Sequence, residues 1–162
     1  MDILFETNLV QNPGLAACAV FEAVSAFCKT KDDGSGLPFP FVFLILPIVF
    51  HKRTADNIKS RIGKGTLFKA IKDDPELTLG LQSRMESLFE RTWEALSLAV
   101  SFELLAIDPN TAEVCPLVRS LPDDAKPVLK PTKDILKAAN RIGKAFSEHA
   151  EEEILKLLKV VF

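Results

Sequence analysis

Tyrosine is absent from this 162-residue chain, tryptophan occurs once, histidine twice and cysteine three times. Each scarcity excludes something. Cys18, Cys28 and Cys115 are odd in number and contain no CxxC pair, so they form no disulfide framework. Free, mostly buried thiols in a reducing cytoplasm are expected instead. A zinc or iron site needs several Cys, His, Asp or Glu ligands converging. His51 and His149 lie far apart and the cysteines are scattered, so no metal site is expected. A Cys–His nucleophilic pair is disfavoured because Cys18 and Cys28 sit in the most apolar stretch, where thiols are inert. Without tyrosine, a base-stacking platform is not expected, and Phe41, Phe43, Phe50, Phe68 and Phe89 are assigned to the core.

Other absences concern motifs and charge. No GxGxxG occurs. Gly63-Lys64-Gly65-Thr66 resembles the end of a phosphate-binding loop, but Ile58 stands where its first glycine belongs. No nucleotide or other cofactor is expected. Lysine and arginine number 20, aspartate and glutamate 22, for a net charge of −2. The total charge therefore does not mark a nucleic-acid protein, although local patches remain open. The longest apolar run, Leu37 to Phe50, falls short of the ~20 residues of a membrane-spanning helix and holds Pro38, Pro40 and Pro47. It reads as a buried core element. The opening MDILFETNLV has two acids and no basic region, unlike a signal peptide, so a cytoplasmic protein is expected.

What is present is a core. Apolar residues make up 48% of the chain, enough for one domain spanning 1–162. Asn12-Pro13 reads as a helix N-cap and first position. Leu15 to Cys28 is apolar on nearly all sides, as in a central buried helix. Residues 29–36 have loop composition. Pro47 is expected to kink or divide any helix through it. Thr54 and Thr66 are placed to cap short helices, with Gly63 and Gly65 breaking between them. Asp73-Asp74-Pro75-Glu76 opens another helix, carrying Leu77, Leu81, Met85, Leu88 and Phe89 at helical spacing. A restart near Thr92 puts Ala95, Leu96, Ala99, Val100 and Leu104 on an inner stripe. Residues 104–108 and 112–116 then flank a turn cluster and read as a hairpin. Residues 118–131 are expected as loop, 132–147 as an amphipathic helix and 150–159 as a last short helix. The fold class is mainly α, a compact helical domain with one short β-hairpin and a winged-helix-like unit over about 54–117, followed by C-terminal helices over about 132–159. Asp73, Asp74 and Glu76, and Glu151 to Glu153, sit at helix starts, where the helix dipole explains them without catalysis. No catalytic residue is assigned.

The strongest functional signal is cationic. Lys52, Arg53, Lys59, Arg61, Lys64, Lys69 and Lys72 are opposed within 51–72 only by Asp56, giving +6. Such a stretch serves phosphate contact, an acidic docking partner, or a surface balanced by acids from elsewhere. His51, Lys52, Arg53 and Thr54 form its tightest knot, directly after the apolar run. With Arg84 they are the candidate partner-binding residues. Lys59, Arg61, Lys64, Lys69 and Lys72 are the candidates for phosphate or acidic-partner contacts.

The ordered set of Asn12-Pro13 with Leu15-Ala16-Ala17, Leu46-Pro47, His51-Lys52-Arg53-Thr54, Pro75-Glu76-Leu77, Arg84, Thr92-Ala95-Leu96, Leu104-Leu105 and Gly143 resembles the middle components of bacterial ABC three-component systems, including the small middle subunit of Lamassu-type anti-phage defence. The family commonly places glycine just before the strand that follows the central helix; here that residue is Glu103. The resemblance implies a non-catalytic adaptor between an SMC- or Rad50-like coiled-coil ATPase and an effector, often a nuclease, with DNA contact open within the complex and no membrane association. From a different class comes a stand-alone winged-helix transcription regulator. It needs a basic recognition helix, and Thr92 to Glu103 holds Glu94 and Glu103 but no lysine or arginine.

Overall fold

The computed structural model describes residues 11–126 and 130–162. Among them are eight α-helices and one small antiparallel sheet, so the chain is mainly α. Helix α1 (Pro13–Lys31) begins as expected, with the Asn12 carboxamide accepting from Leu15 N–H at 3.1 Å and proline at the first position. It runs through Lys31, three residues into the expected loop, and ends on Asp32 in the left-handed region. Its buried residues lie on nearly every side, which suits a helix surrounded by others.

The chain next forms strand β1 (Leu37–Pro38), a 3₁₀ turn (Phe39–Phe41) and helix α2 (Val42–Val49), every residue of which is buried. Pro47 does not divide α2; the helix continues through it and ends two residues later. In so short a helix the proline removes a single N–H donor.

Helices α3 (Lys52–Lys59) and α4 (Thr66–Asp73) follow. Neither threonine is the cap residue expected. His51 occupies the N-cap of α3, and Thr54 lies inside it. Gly65 occupies the N-cap of α4, and the Thr66 hydroxyl donates back to Gly63 O at 2.8 Å. Gly63 and Gly65 do break the chain there, both at positive φ. Residues Pro75–Thr78 make only a 3₁₀ turn, because Asp73 still belongs to α4; the new helix, α5, is Leu81–Ser87. Helix α6 (Phe89–Ser101) starts before Thr92. Thr92 is wholly buried, its hydroxyl donating to Leu88 O at 2.9 Å.

α6 closes in a Schellman arrangement: Glu103 N–H donates to Val100 O (3.0 Å) and Leu104 N–H to Ala99 O (2.9 Å). This requires Glu103 at φ +56°. The hairpin then appears as strands β2 (Leu105–Asp108) and β3 (Glu113–Pro116), with Ile107 opposite Val114. A third strand joins it. β1 pairs with β3, Leu37 opposite Val114, giving the order β1-β3-β2. The hairpin thus draws on residues ahead of the 54–117 window.

A 3₁₀ turn (Asp123–Ala125) lies in the expected 118–131 loop, whose residues 127–129 fall outside those described, as does the segment 1–10. Helix α7 (Lys130–Ser147) begins two residues early and buries Ile135, Ala138, Ala139, Ile142 and Phe146 as patterned. Helix α8 (Glu151–Leu158) has its three glutamates in the first turn.

The core centres on α1, which packs chiefly against α7 and α6, while α3 also rests on α7. At the α1–α7 seam, a Cβ on Gly143 would stand 2.1 Å from Ala23 O. Only glycine lets the two backbones come so close.

Candidate partner-docking surfaces

The knot at residues 51–54 is built into the fold. The His51 ring shares a 2.7 Å hydrogen bond with the Thr54 hydroxyl, and Thr54 is buried. Lys52 pairs with Asp56 one turn along α3. Arg53 makes a bidentate contact with Asp74 (2.8 and 2.9 Å) and a third bond to Glu76 (2.9 Å). The Glu76 and Asp74 carboxylates raise its pKa. The ion pairs fasten α3 to the junction after α4, and Arg53 remains half exposed.

Lys59 bridges two elements, reaching Asp56 within α3 (3.1 Å) and Asp134 on α7 (3.0 Å). Hydrogen bonding to Lys59 holds Asp134 below the usual carboxylate range, and Lys52 with Lys59 does the same for Asp56. Arg61 pairs with Asp73 at 2.9 Å. Four of the seven cations are thereby neutralised by acids of the same chain, and three of them, Arg53, Lys59 and Arg61, through carboxylates outside the 51–72 window.

Lys64, Lys69 and Lys72 differ. They are exposed and make no ion pair among the described residues. Ile62 and Phe68 are exposed beside them, at 81% and 53%. Phe68 was expected in the core.

Arg84 turns inward instead of joining a cationic face. Its Nε donates to Pro47 O (3.1 Å) and one terminal nitrogen to Leu79 O (2.9 Å). Its other terminal nitrogen is buried without a partner, and burial lowers its pKa. It ties α5 to the end of α2.

Sequence reasoning missed an aromatic groove. Phe39, Phe43, Phe89 and Trp93 form one continuous cluster with ring centroids 5.0–6.4 Å apart, Phe43 and Phe89 stacked at 5.0 Å. Phe89 is 50% and Trp93 41% exposed, so Phe89 also departs from its core assignment. Phe39, Phe43 and Phe89, with Met85 and Phe162, line a groove of about 380 Å³. Its rim holds a peptide-like contact: the Gln82 carboxamide accepts from Val161 N–H (3.0 Å) and donates to Val161 O (3.1 Å). The pairs Phe39/Phe43 and Phe89/Trp93, each four residues apart, are the signal that could have shown an aromatic face.

The cysteines are free, but each is half buried, less than expected. Burial, reinforced by Cys115 nearby, pushes the Cys28 thiol up to about 11. Among the described residues no group of three His, Cys, Asp or Glu could hold a metal ion, and no helix is long and apolar enough to cross a membrane.

A chain with an open aromatic groove and a part-neutralised cationic surface has the features of a component that works in contact with others. The family comparison decides which. The model of the ABC three-component (ABC-3C) system Middle Component 3 matches residues 2–162. The chain belongs to that family. Searches of curated proteins and of solved structures found no match. As a middle component of a three-component system, it has partner subunits.

Proposed function

We propose that this middle component is a non-catalytic, cytoplasmic adaptor that connects a coiled-coil SMC- or Rad50-like ATPase to an effector, a nuclease in the version favoured by its resemblance to Lamassu-type systems. The setting is bacterial defence against phage or plasmids. The observation that carries the reading is the aromatic groove. Side chains such as Phe89, half open to water in the groove, and Trp93, packed beside it in the same ring cluster, are the anchors that protein interfaces use, because one aromatic buries a large area at little entropic cost.

Coupling follows from differential binding. If the ATPase alternates between two states, the adaptor transmits a signal only by binding them with different affinity. The α1–α7 core supplies a rigid body for this.

The test is co-expression of the tagged chain with the products of its neighbouring genes, followed by purification and mass spectrometry. Recovery of a coiled-coil ATPase and an effector supports the adaptor, and Phe89→Glu with Trp93→Glu is expected to lose one of them. Recovery of the chain alone, or with DNA only, overturns it.

The order helix α6, β2, β3 favours the second reading, a stand-alone winged-helix regulator. Its helix counts against it: α6 exposes Glu90 and Glu94 and carries no cation after Arg91.

A further inference from the structure

Within 51–72, the three cations without an ion pair among the described residues, Lys64, Lys69 and Lys72, follow one another along one loop and helix. The buried residues Thr66, Leu67 and Ala70 fix which side of α4 faces the core. Phe68 and Lys72 are then one turn apart on the open side, with Lys69 beside them. The preceding loop adds Ile62 and Lys64. Gly65 holds that loop against the helix at φ +73°, and the Lys69 stem runs back over it, 3.9 Å from where a Cβ would stand. Three lysines without carboxylate partners among the described residues thus share one loop and helix with two exposed apolar side chains.

We propose that this face docks an acidic segment, carrying apolar anchors, from another subunit of the same assembly; the inference rests on the adaptor reading. Charge complementarity selects the occupant. Carboxylates spaced along a segment reach Lys64, Lys69 and Lys72 individually, while its apolar side chains cover Ile62 and Phe68. A phosphate backbone fits less well. It would run its continuous negative charge past Glu148, which accepts from Gly65 N–H at 2.7 Å, and past exposed Asp73. It would also leave Ile62 and Phe68 wet, since DNA interfaces are polar and dominated by cations. Like-charge residues beside an interface select against the wrong partner. The three lysines lack the planar fork that arginine offers to phosphate and guanine.

The experiment places p-benzoylphenylalanine at position 68 of the full chain, co-expressed with the products of its neighbouring genes. Irradiation and mass spectrometry then identify what is captured. The expected product is a peptide of a co-purifying subunit, rich in Asp and Glu with at least one aromatic or aliphatic side chain. Lys64→Glu/Lys69→Glu/Lys72→Glu is expected to weaken assembly by about tenfold or more. Lys133→Glu/Lys137→Glu, on the exposed side of α7, is expected to leave it unchanged. Capture of DNA, capture of a basic or neutral peptide, or equal effects of the two charge-reversal sets overturns the proposal. Co-purifying subunits with no cross-link from position 68 overturn it while the adaptor reading stands. Absence of co-purifying subunits overturns both.

Discussion

The α1–α7 seam and the α3–α4 layer hold this chain together by opposite means. At the seam, Ala23 and Gly143 are small enough for two backbones to touch, and the contact owes nothing to charge. In the layer, Arg53, Lys59 and Arg61 carry helices to acids distant in sequence, through partly exposed ion pairs. Close packing tolerates almost no change in volume. Exposed ion pairs contribute little individually and are screened by salt. The seam is therefore the rigid part, and the layer is where surface can vary, including its free lysines and Phe68.

The largest expected effect breaks the seam. Gly143→Ala forces a methyl into Ala23 O and should cost about 3 kcal/mol or more in urea unfolding, with the same loss in low and high salt. A smaller effect has the opposite sign. Glu103→Gly relieves a left-handed residue at the end of α6 and should stabilise by about 1 kcal/mol in the same assay. In the layer, Arg53→Met should lower the melting temperature far less than Gly143→Ala, and the loss should shrink in 1 M salt.

The smallest effect is in acid. Asp56 and Asp134 have folded pKa values below the ordinary 3.8. As pH falls, the unfolded chain takes up their protons first. Their stabilisation is complete above about pH 4 and is lost as pH drops through the folded values. Lys59→Met should flatten this part of the stability–pH curve. Asp33 and Asp123, held low by Ser35 and Lys126, should keep the rest of the slope.

These regions also differ in how far the chain's order of residues discloses them. The seam was legible: Ile135, Ala138, Ala139, Ile142 and Phe146 recur at helical spacing, and all are buried. So was the hairpin, from its turn cluster, and the Asn12 cap, whose partner is three residues away. Local signals of this kind need no distant partner. The layer was legible only as charge. Nothing near Arg53 announces Asp74 and Glu76, or near Lys59 announces Asp134, so paired and free cations looked alike. The inward bonds of Arg84 were hidden too, because its carbonyl acceptors, Pro47 and Leu79, leave no trace in side-chain chemistry. The groove was hidden because it forms where α5, α6, the Phe39–Phe41 turn and Val161–Phe162 converge. Glu103, where the resemblance leads to an expectation of glycine, carries a left-handed backbone angle that glycine would supply without strain.

The proposed function requires that the chain bridge two subunits. The most direct measurement is binding of the effector to immobilised ATPase with and without this chain. Effector retention is expected only when the chain is present, and is expected to be lost with Lys64→Glu/Lys69→Glu/Lys72→Glu at an unchanged melting temperature. Effector retention that is equally strong without the chain would contradict it.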